Sequence, residues 1–297
     1  MAWAITATGT VTIDDVTTPA GRATDLQGGS AVYFSLAAAP FAPVRIVGVV
    51  GRDGEARLRE IAGGAGVDLD GLEVSGEPTF RWRAIHDFER WVTACEHAEA
   101  GAYASWRPRL DGIAAAAEVL FLGSMPPASQ LEALAQSGAR VVGADSMTVY
   151  IGGPERDRVV KVAESADVLF LNRTELAALS DRPAAEWRES AAALCGRSRL
   201  RVVVVKAGPL GAACVTATEV VERAAHPVGA VVDPTGAGDA LAGGFLGACA
   251  RAELDPLDHL VEALDAGLAR AAQAISRFGP EGLLDPPVSR DGAPTAR

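Results

Sequence analysis

The residues with the most chemistry in them lie close together near the C-terminus: Asp239, preceded by Gly236-Ala237-Gly238 and by Asp233-Pro234-Thr235. Proline has no N–H and resists a regular strand, and two glycines around one small residue let a backbone turn tightly. The stretch therefore predicts a strand end at Val231-Val232, a turn, and a helix opening on Ala240-Leu241-Ala242. The first N–H groups of a helix have no partner inside it, and with the positive end of its dipole they favour negative charge. A carboxylate in the same place would repel a resting phosphate. It suits a reaction in which a hydroxyl loses its proton while charge builds on a phosphoryl group. Gly-x-Gly-Asp alone fits an ordinary turn with an acidic first helical turn equally well.

The longer string decides between these. Asp233 to Ala240, continued by Ala242-Gly243-Gly244-Phe245, closely resembles the C-terminal signature of the ribokinase-like (PfkB) carbohydrate kinase family. The resemblance implies that Asp239 is the catalytic base and that the amides of Gly236, Ala237 and Gly238 stabilise the transferring phosphoryl. It also implies ATP and Mg2+ as cofactors, and K+ as a further one, held at Asp233 and Thr235. The implied fold is α/β: a three-layer α/β/α sandwich with a mostly parallel central sheet and a small β lid.

Further along this resemblance lie the groups that would meet the acceptor. The β-branched stretch from Ala2 to Ile13 predicts a first strand ending at Asp14-Asp15. In the family an acid after this strand binds substrate hydroxyls; neighbours in an extended chain point opposite ways, so one of Asp14 and Asp15 faces the site. Gly28-Gly29 opens a helix to about Ala39 and, by resemblance, contacts the sugar and bends as the lid closes. Tyr33 stands where the family carries Asn, a departure that bears on which acceptor is used; an aromatic ring there could stack on a base.

Two short alternating segments, Thr79 to Ile85 and Arg90 to Cys95, both contain Trp and Arg and predict a hairpin. Such a hairpin serves as a lid over a polar ligand, as a dimer surface or as a cover for the core. The resemblance implies a lid from about 10–30 and 78–106 and allows a homodimer paired through it.

Apolar strands then alternate with Ala-rich helices: 119–122, 140–144, 168–171 and 201–205 against 131–136, 155–165 and 184–195. That rhythm predicts a parallel sheet covered on both faces, with sites at the carboxyl ends of its strands. Asp145 follows one such strand and is a candidate for substrate binding. Asn172-x-x-Glu175 follows the next and reads as a helix capping box; by resemblance the same pair organises the water shell of Mg-bound phosphates. Lys206 ends a buried strand before Gly208, where it contacts phosphate or snorkels to solvent. Ala266 and Ala269 lie on a helix over 263–278, low enough for an adenine to rest on or for another helix to pack against.

The remaining composition narrows the class. At 297 residues with 49% hydrophobic content the chain predicts one domain over 1–285 and a frayed tail over 286–297. A net charge of −11 with scattered basic residues argues against nucleic acid and anionic membrane as partners. Cys95, Cys195, Cys214 and Cys249 show neither disulfide nor zinc spacing, and no apolar run reaches membrane length. A cytoplasmic enzyme acting on a small polyhydroxylated molecule is expected: an ATP-dependent kinase of a sugar or sugar-like polyol. A nucleoside kinase of the same fold and a non-catalytic ligand-binding relative are the alternatives.

Overall fold

The computed structural model describes residues 5–90, 92–196, 198–252 and 255–287. The first apolar stretch is two strands rather than one. β1 (Ile5–Thr8) belongs to a large sheet and β2 (Thr12–Thr18) to a small one. The break is built by Thr10, whose Oγ1 accepts from the Ser30 N–H at 3.0 Å while its own N–H donates to Ser30 Oγ at 3.1 Å. These bonds turn the chain out of the large sheet, so Asp14 and Asp15 lie inside β2 and not beyond a strand end.

The chain continues through β3 (Gly21–Gly28), α1 (Ser30–Ala38), β4 (Val44–Gly51), α2 (Arg52–Ala65) and β5 (Asp68–Ser75). β6 (Phe80–Asp87) and β7 (Val92–Glu99) form the expected hairpin; Trp91 lies outside the described residues. Then follow α3 (Gly112–Ala115), β8 (Val119–Leu122), α4 (Pro127–Gln136), β9 (Val141–Asp145), α5 (Thr148–Ile151) and α6 (Arg156–Ser165). The last part holds β10 (Val168–Asn172), α7 (Arg173–Ser180), α8 (Trp187–Leu194), β11 (Val202–Lys206), β12 (Ala212–Val215), β13 (Val220–Arg223), α9 (Ala237–Arg251) and α10 (Leu260–Ala274). Of the tail expected to fray, 286–297, residues 288–297 lie outside the described residues, while Pro286 O accepts from Gln273 Nε2 at 2.7 Å.

The large sheet has the order β13-β12-β11-β10-β9-β8-β1-β4-β5, parallel except at β12 and β13. Its inner strands are apolar on both faces because helices cover both. Leu120, Leu122, Leu169, Leu171, Val203 and Val205 pack with Ala133, Val159, Leu176 and Ala191 of α4, α6, α7 and α8. Their neighbours Phe121, Phe170 and Val204 pack with Phe34, Phe245 and Leu264 of α1, α9 and α10. All the parallel strands end at one edge of the layer, and Asp145, Asn172 and Lys206 are each the last residue of theirs.

The small sheet has the order β3-β2-β6-β7, so the hairpin is not free-standing but continues β2, to which β6 is parallel. Side chains of a strand alternate between faces. On one face Asp14 lies between Leu26 of β3 and Trp82 of β6, with Ala84 and His86 further along. The other face carries Arg81, paired with Asp25, and Arg83, paired with Asp15.

Val231-Val232 is not a strand end. It is an extended connector: Val232 N–H donates to Ile275 O at 2.8 Å, and Val232 O accepts from Thr18 Oγ1 at 2.8 Å. The two valines are β-branched but have no sheet neighbour to pair with, so the loop before α9 is carried by the end of α10 and by the small sheet.

Candidate active site

Gly236 is the N-cap of α9, with φ 73°, and a Cβ there would overlap the ring of Tyr33. Both facts require glycine, since φ in this range strains other residues and the ring leaves no room. Tyr33, on α1, is 1% exposed and backs the loop rather than presenting a free ring face. Ala237, Gly238 and Asp239 form the first turn of α9, whose N–H groups have no acceptors within the helix. That of Ala237 turns back to Pro234 O at 3.3 Å.

Asp239 stands among charged groups. Burial, reinforced by Asp145 and opposed by Lys206, pushes its carboxyl up to about 7. Lys206 Nζ donates to Asp145 Oδ2 at 2.7 Å and Oδ1 at 3.0 Å. A Cβ on Gly238 would lie 3.2 Å from that same ammonium nitrogen, so the amine sits over the start of α9. Burial lowers its proton affinity, yet the carboxylates of Asp145 and Glu175 outweigh this and hold it charged. Lys206 thus reaches the site and does not snorkel away from it.

Asn172 and Glu175 form the capping box of α7. Glu175 N–H donates to Asn172 Oδ1 and Asn172 N–H to Glu175 Oε2, each at 2.8 Å. Burial, with Lys206 opposing and Asp145 reinforcing, raises the Glu175 carboxyl. Asp145, Glu175 and Asp239 against one ammonium make this corner net negative, a donor set that suits a hydrated Mg2+ carrying phosphates. Among the described residues no three acids or histidines stand close enough to ligate an ion by themselves. Mg2+ usually keeps several waters and binds through one or two carboxylates plus phosphate oxygens.

Asp14 lies across the cleft on the small sheet, 3% exposed, with Oδ1 lacking any hydrogen-bond partner. Burial, opposed by the neighbouring Thr12 hydroxyl and reinforced by Asp233, pushes its carboxyl up to about 7. A Cβ on Gly28 would overlap this carboxylate, so the glycine lets Asp14 lie flat on the backbone of β3. Gly29, with φ 103°, is the N-cap of α1. Asp15 points to the opposite face, toward Arg83.

Other candidate positions divide. Gly208 follows β11 with open space around it. Ala269 is 5% exposed, and the backbone of Ala266 backs closely onto Gly244 of α9. Asp233 Oδ1 accepts from Thr235 N–H at 2.9 Å and Oδ2 from Gly279 N–H at 3.1 Å. Trp82 belongs to the hairpin expected as a lid, while His86 follows that segment and was no candidate. His86 Nε2 shares a hydrogen bond with Thr235 Oγ1 at 2.9 Å, which ties the small sheet to the loop. The signal was the alternation Phe80, Trp82, Ala84, His86, which places all four on one face.

A buried carboxylate at the N-terminus of a helix, a lysine over the same amides and an acidic corner beside them form one cluster at the ends of the parallel strands. The comparison with known proteins gives the class. Residues 14–285 match the pfkB family carbohydrate kinase model, and the chain belongs to that family. It is 28% identical over 280 residues to a cytidine kinase of Thermococcus kodakarensis, covering 91% of this chain and 95% of that protein. The fold is similar to adenosine kinase from Sinorhizobium meliloti, with TM-score 0.78, 19% identity and 94% and 96% of the two chains covered. It is likewise similar to ribokinase from Cryptococcus neoformans in complex with ADP, with TM-score 0.75, 21% identity and coverage of 98% and 96%.

Proposed function

We propose that this kinase transfers the γ-phosphoryl of Mg-ATP to a hydroxyl of a ribose-bearing small molecule, with Asp239 as general base. The observation that carries the reading is the position of Asp239. Its carboxyl, raised to about 7, stands in the first turn of α9 beside Lys206. A base whose affinity for protons lies near working pH takes up the hydroxyl proton without being saturated beforehand.

Binding comes first. Asp14, with its unpartnered Oδ1, accepts hydroxyl groups of the acceptor, and Gly28 and Gly29 let the sugar approach the backbone. The small sheet acts as the lid over this pocket and excludes water from it. Lys206, the α9 amides and the Asn172–Glu175 corner receive the phosphates, with Gly208 on the nucleotide side; Glu175 would hold Mg2+ through water. The ion, when bound, neutralises charge on the phosphoryl oxygens. As the hydroxyl oxygen attacks, Asp239 accepts its proton and the amides of Gly236 and Gly238 face the growing negative charge. Lys206 exchanges part of its contact with Asp145 for phosphate.

Among ribose-bearing acceptors, a nucleoside is favoured over a free sugar by Trp82. Its ring is half-buried on the same face as Asp14 and adjacent to it in register, where a base attached to the bound ribose can stack. The resemblance to a cytidine kinase supports the same acceptor. Phosphate transfer from ATP to a panel of nucleosides, ribose and inositols tests it. Nucleosides are expected to have the highest kcat/KM, and Trp82→Ala to lower that value at least tenfold for nucleosides while leaving the KM for ATP unchanged. Turnover of free ribose or an inositol in preference to every nucleoside would overturn the nucleoside assignment.

A further inference from the structure

The family resemblance implies a monovalent cation at Asp233 and Thr235, and the residues around these two do not fit one. A K+ ion is held by a shell of oxygens that replaces its water. Here each of those side-chain oxygens already has a partner within the protein. Asp233, 1% exposed, takes the Thr235 N–H on Oδ1 and the Gly279 N–H on Oδ2. Thr235 Oγ1 is bonded to His86 Nε2 at 2.9 Å, and that nitrogen is also 3.8 Å from Asp233 Oδ1. Nε2 therefore stands within 4 Å of both Thr235 Oγ1 and Asp233 Oδ1, in the place of an ion that would bridge those two oxygens. It is held there from behind, because His86 Nδ1 shares a hydrogen bond of 2.8 Å with Thr93 Oγ1 on β7.

We propose that His86 takes the place of a monovalent cation and is a positioning residue of the anion loop. The chain Thr93–His86–Thr235 fixes the loop to the small sheet, and Asp233 fixes it to the segment after α10, so the turn into α9 is ordered without an ion. One consequence concerns the order of events. The loop reaches its working geometry only while β6 and β7 are seated on it, so seating of the small sheet and assembly of the anion site are one step. The site is chain-internal and needs no solute cation. The activity measured below rests on the kinase reading, whereas the thermal measurement does not.

The test compares the wild-type chain with His86→Ala and His86→Gln in buffers whose only monovalent cation is K+, Na+ or tetramethylammonium. Thermal unfolding without nucleotide is recorded first, then steady-state kinetics with Mg-ATP and the best acceptor of the panel. The wild-type Tm is expected to be the same in all three salts at equal ionic strength, and its kcat the same within about twofold. His86→Ala is expected to lose about tenfold or more in kcat with the KM for ATP nearly unchanged, because the loop and not the nucleotide pocket is loosened. His86→Gln, whose amide N–H can still reach Thr235, is expected to recover most of that loss, which replacing mere bulk would not do. A wild-type Tm or kcat that rises specifically with K+ overturns the proposal, and so does His86→Ala with kcat within about twofold of wild type. Absence of turnover with every acceptor would count against the proposed function, while the Tm comparison would still decide whether the site takes an ion.

Discussion

Replacing Asp239 by Asn separates two consequences of burying a base beside an anion loop. The side chain keeps its size but can no longer accept a proton or carry charge. General-base removal commonly costs 10²–10⁴-fold, so kcat is expected to fall by about three orders of magnitude, with the Kd for ATP unchanged or slightly tighter, since a carboxylate facing the phosphates has gone. Stability should move the other way. The folded carboxyl titrates near 7 against an ordinary 3.8, so the native state holds this proton more tightly than the unfolded chain does. Stability from the protonated form is complete below about pH 4 and is lost as pH rises through about 7. The full difference, about 3 units at about 1.4 kcal/mol each, would reach about 4 kcal/mol. Water in the cleft screens the half-buried carboxylate, so about 2 kcal/mol is the working figure. For a chain of this length that is about 4 °C in Tm. Differential scanning calorimetry of both proteins between pH 4 and 8 reads it directly: the variant should match wild type at pH 4 and gain on it up to about pH 7. A kcat within about threefold of wild type would refute the base assignment, and a Tm gap independent of pH would refute the raised carboxyl.

Lys206→Met leaves Asp145 buried without its partner and is expected to cost about 3 kcal/mol of stability and to raise the KM for ATP at least tenfold; urea unfolding and ATP titration measure the two. Adding Asp145→Leu should restore much of the stability and none of the ATP affinity, and recovery of both would show that Lys206 serves packing alone. Gly236→Ala puts a side chain at φ 73° against the Tyr33 ring, so kcat should fall at least tenfold and stability by about 2 kcal/mol; unchanged kinetics would show that the turn tolerates rearrangement. Asp14→Asn should raise the KM for the acceptor by about tenfold with the KM for ATP unaltered, whereas a shift confined to ATP would place Asp14 on the wrong side of the cleft. In wild type, kcat should decline as pH falls below about 7, as Asp239 becomes protonated, and a flat profile down to pH 5 would exclude it as the base.

The sequence by itself determined what local chemistry and periodicity can encode. The string from Asp233 to Phe245 identified the helix start and the family, and pointed to Asp239 as the candidate base. The continuous apolar runs at 119–122, 168–171 and 201–205 identified inner strands, because a strand buried on both faces needs no partner to be recognised. The strands at the two ends of the sheet were harder to see: β5 is half-exposed with acidic residues among its apolar ones, and β13 at the other edge and β12 beside it are short. The break between β1 and β2 depends on Thr10 meeting Ser30, twenty residues away, which no local pattern shows. Val231-Val232 has the composition of a strand but lacks a neighbour, and only the tertiary arrangement decides whether one is present. The same holds at the site. Adjacent acids became one buried carboxylate and one surface ion pair because β2 has a face toward the cleft, and Tyr33 became the backing of Gly236 because α1 packs beneath α9. Alternation along β6 places His86 on the face of Trp82, but its partners, Thr93 on β7 and Thr235 in the loop before α9, come from other segments and no local pattern names them. Residue types and local spacing set the reaction, while which groups meet across the cleft, and which oxygens are already taken, follows from contacts between segments far apart in the chain.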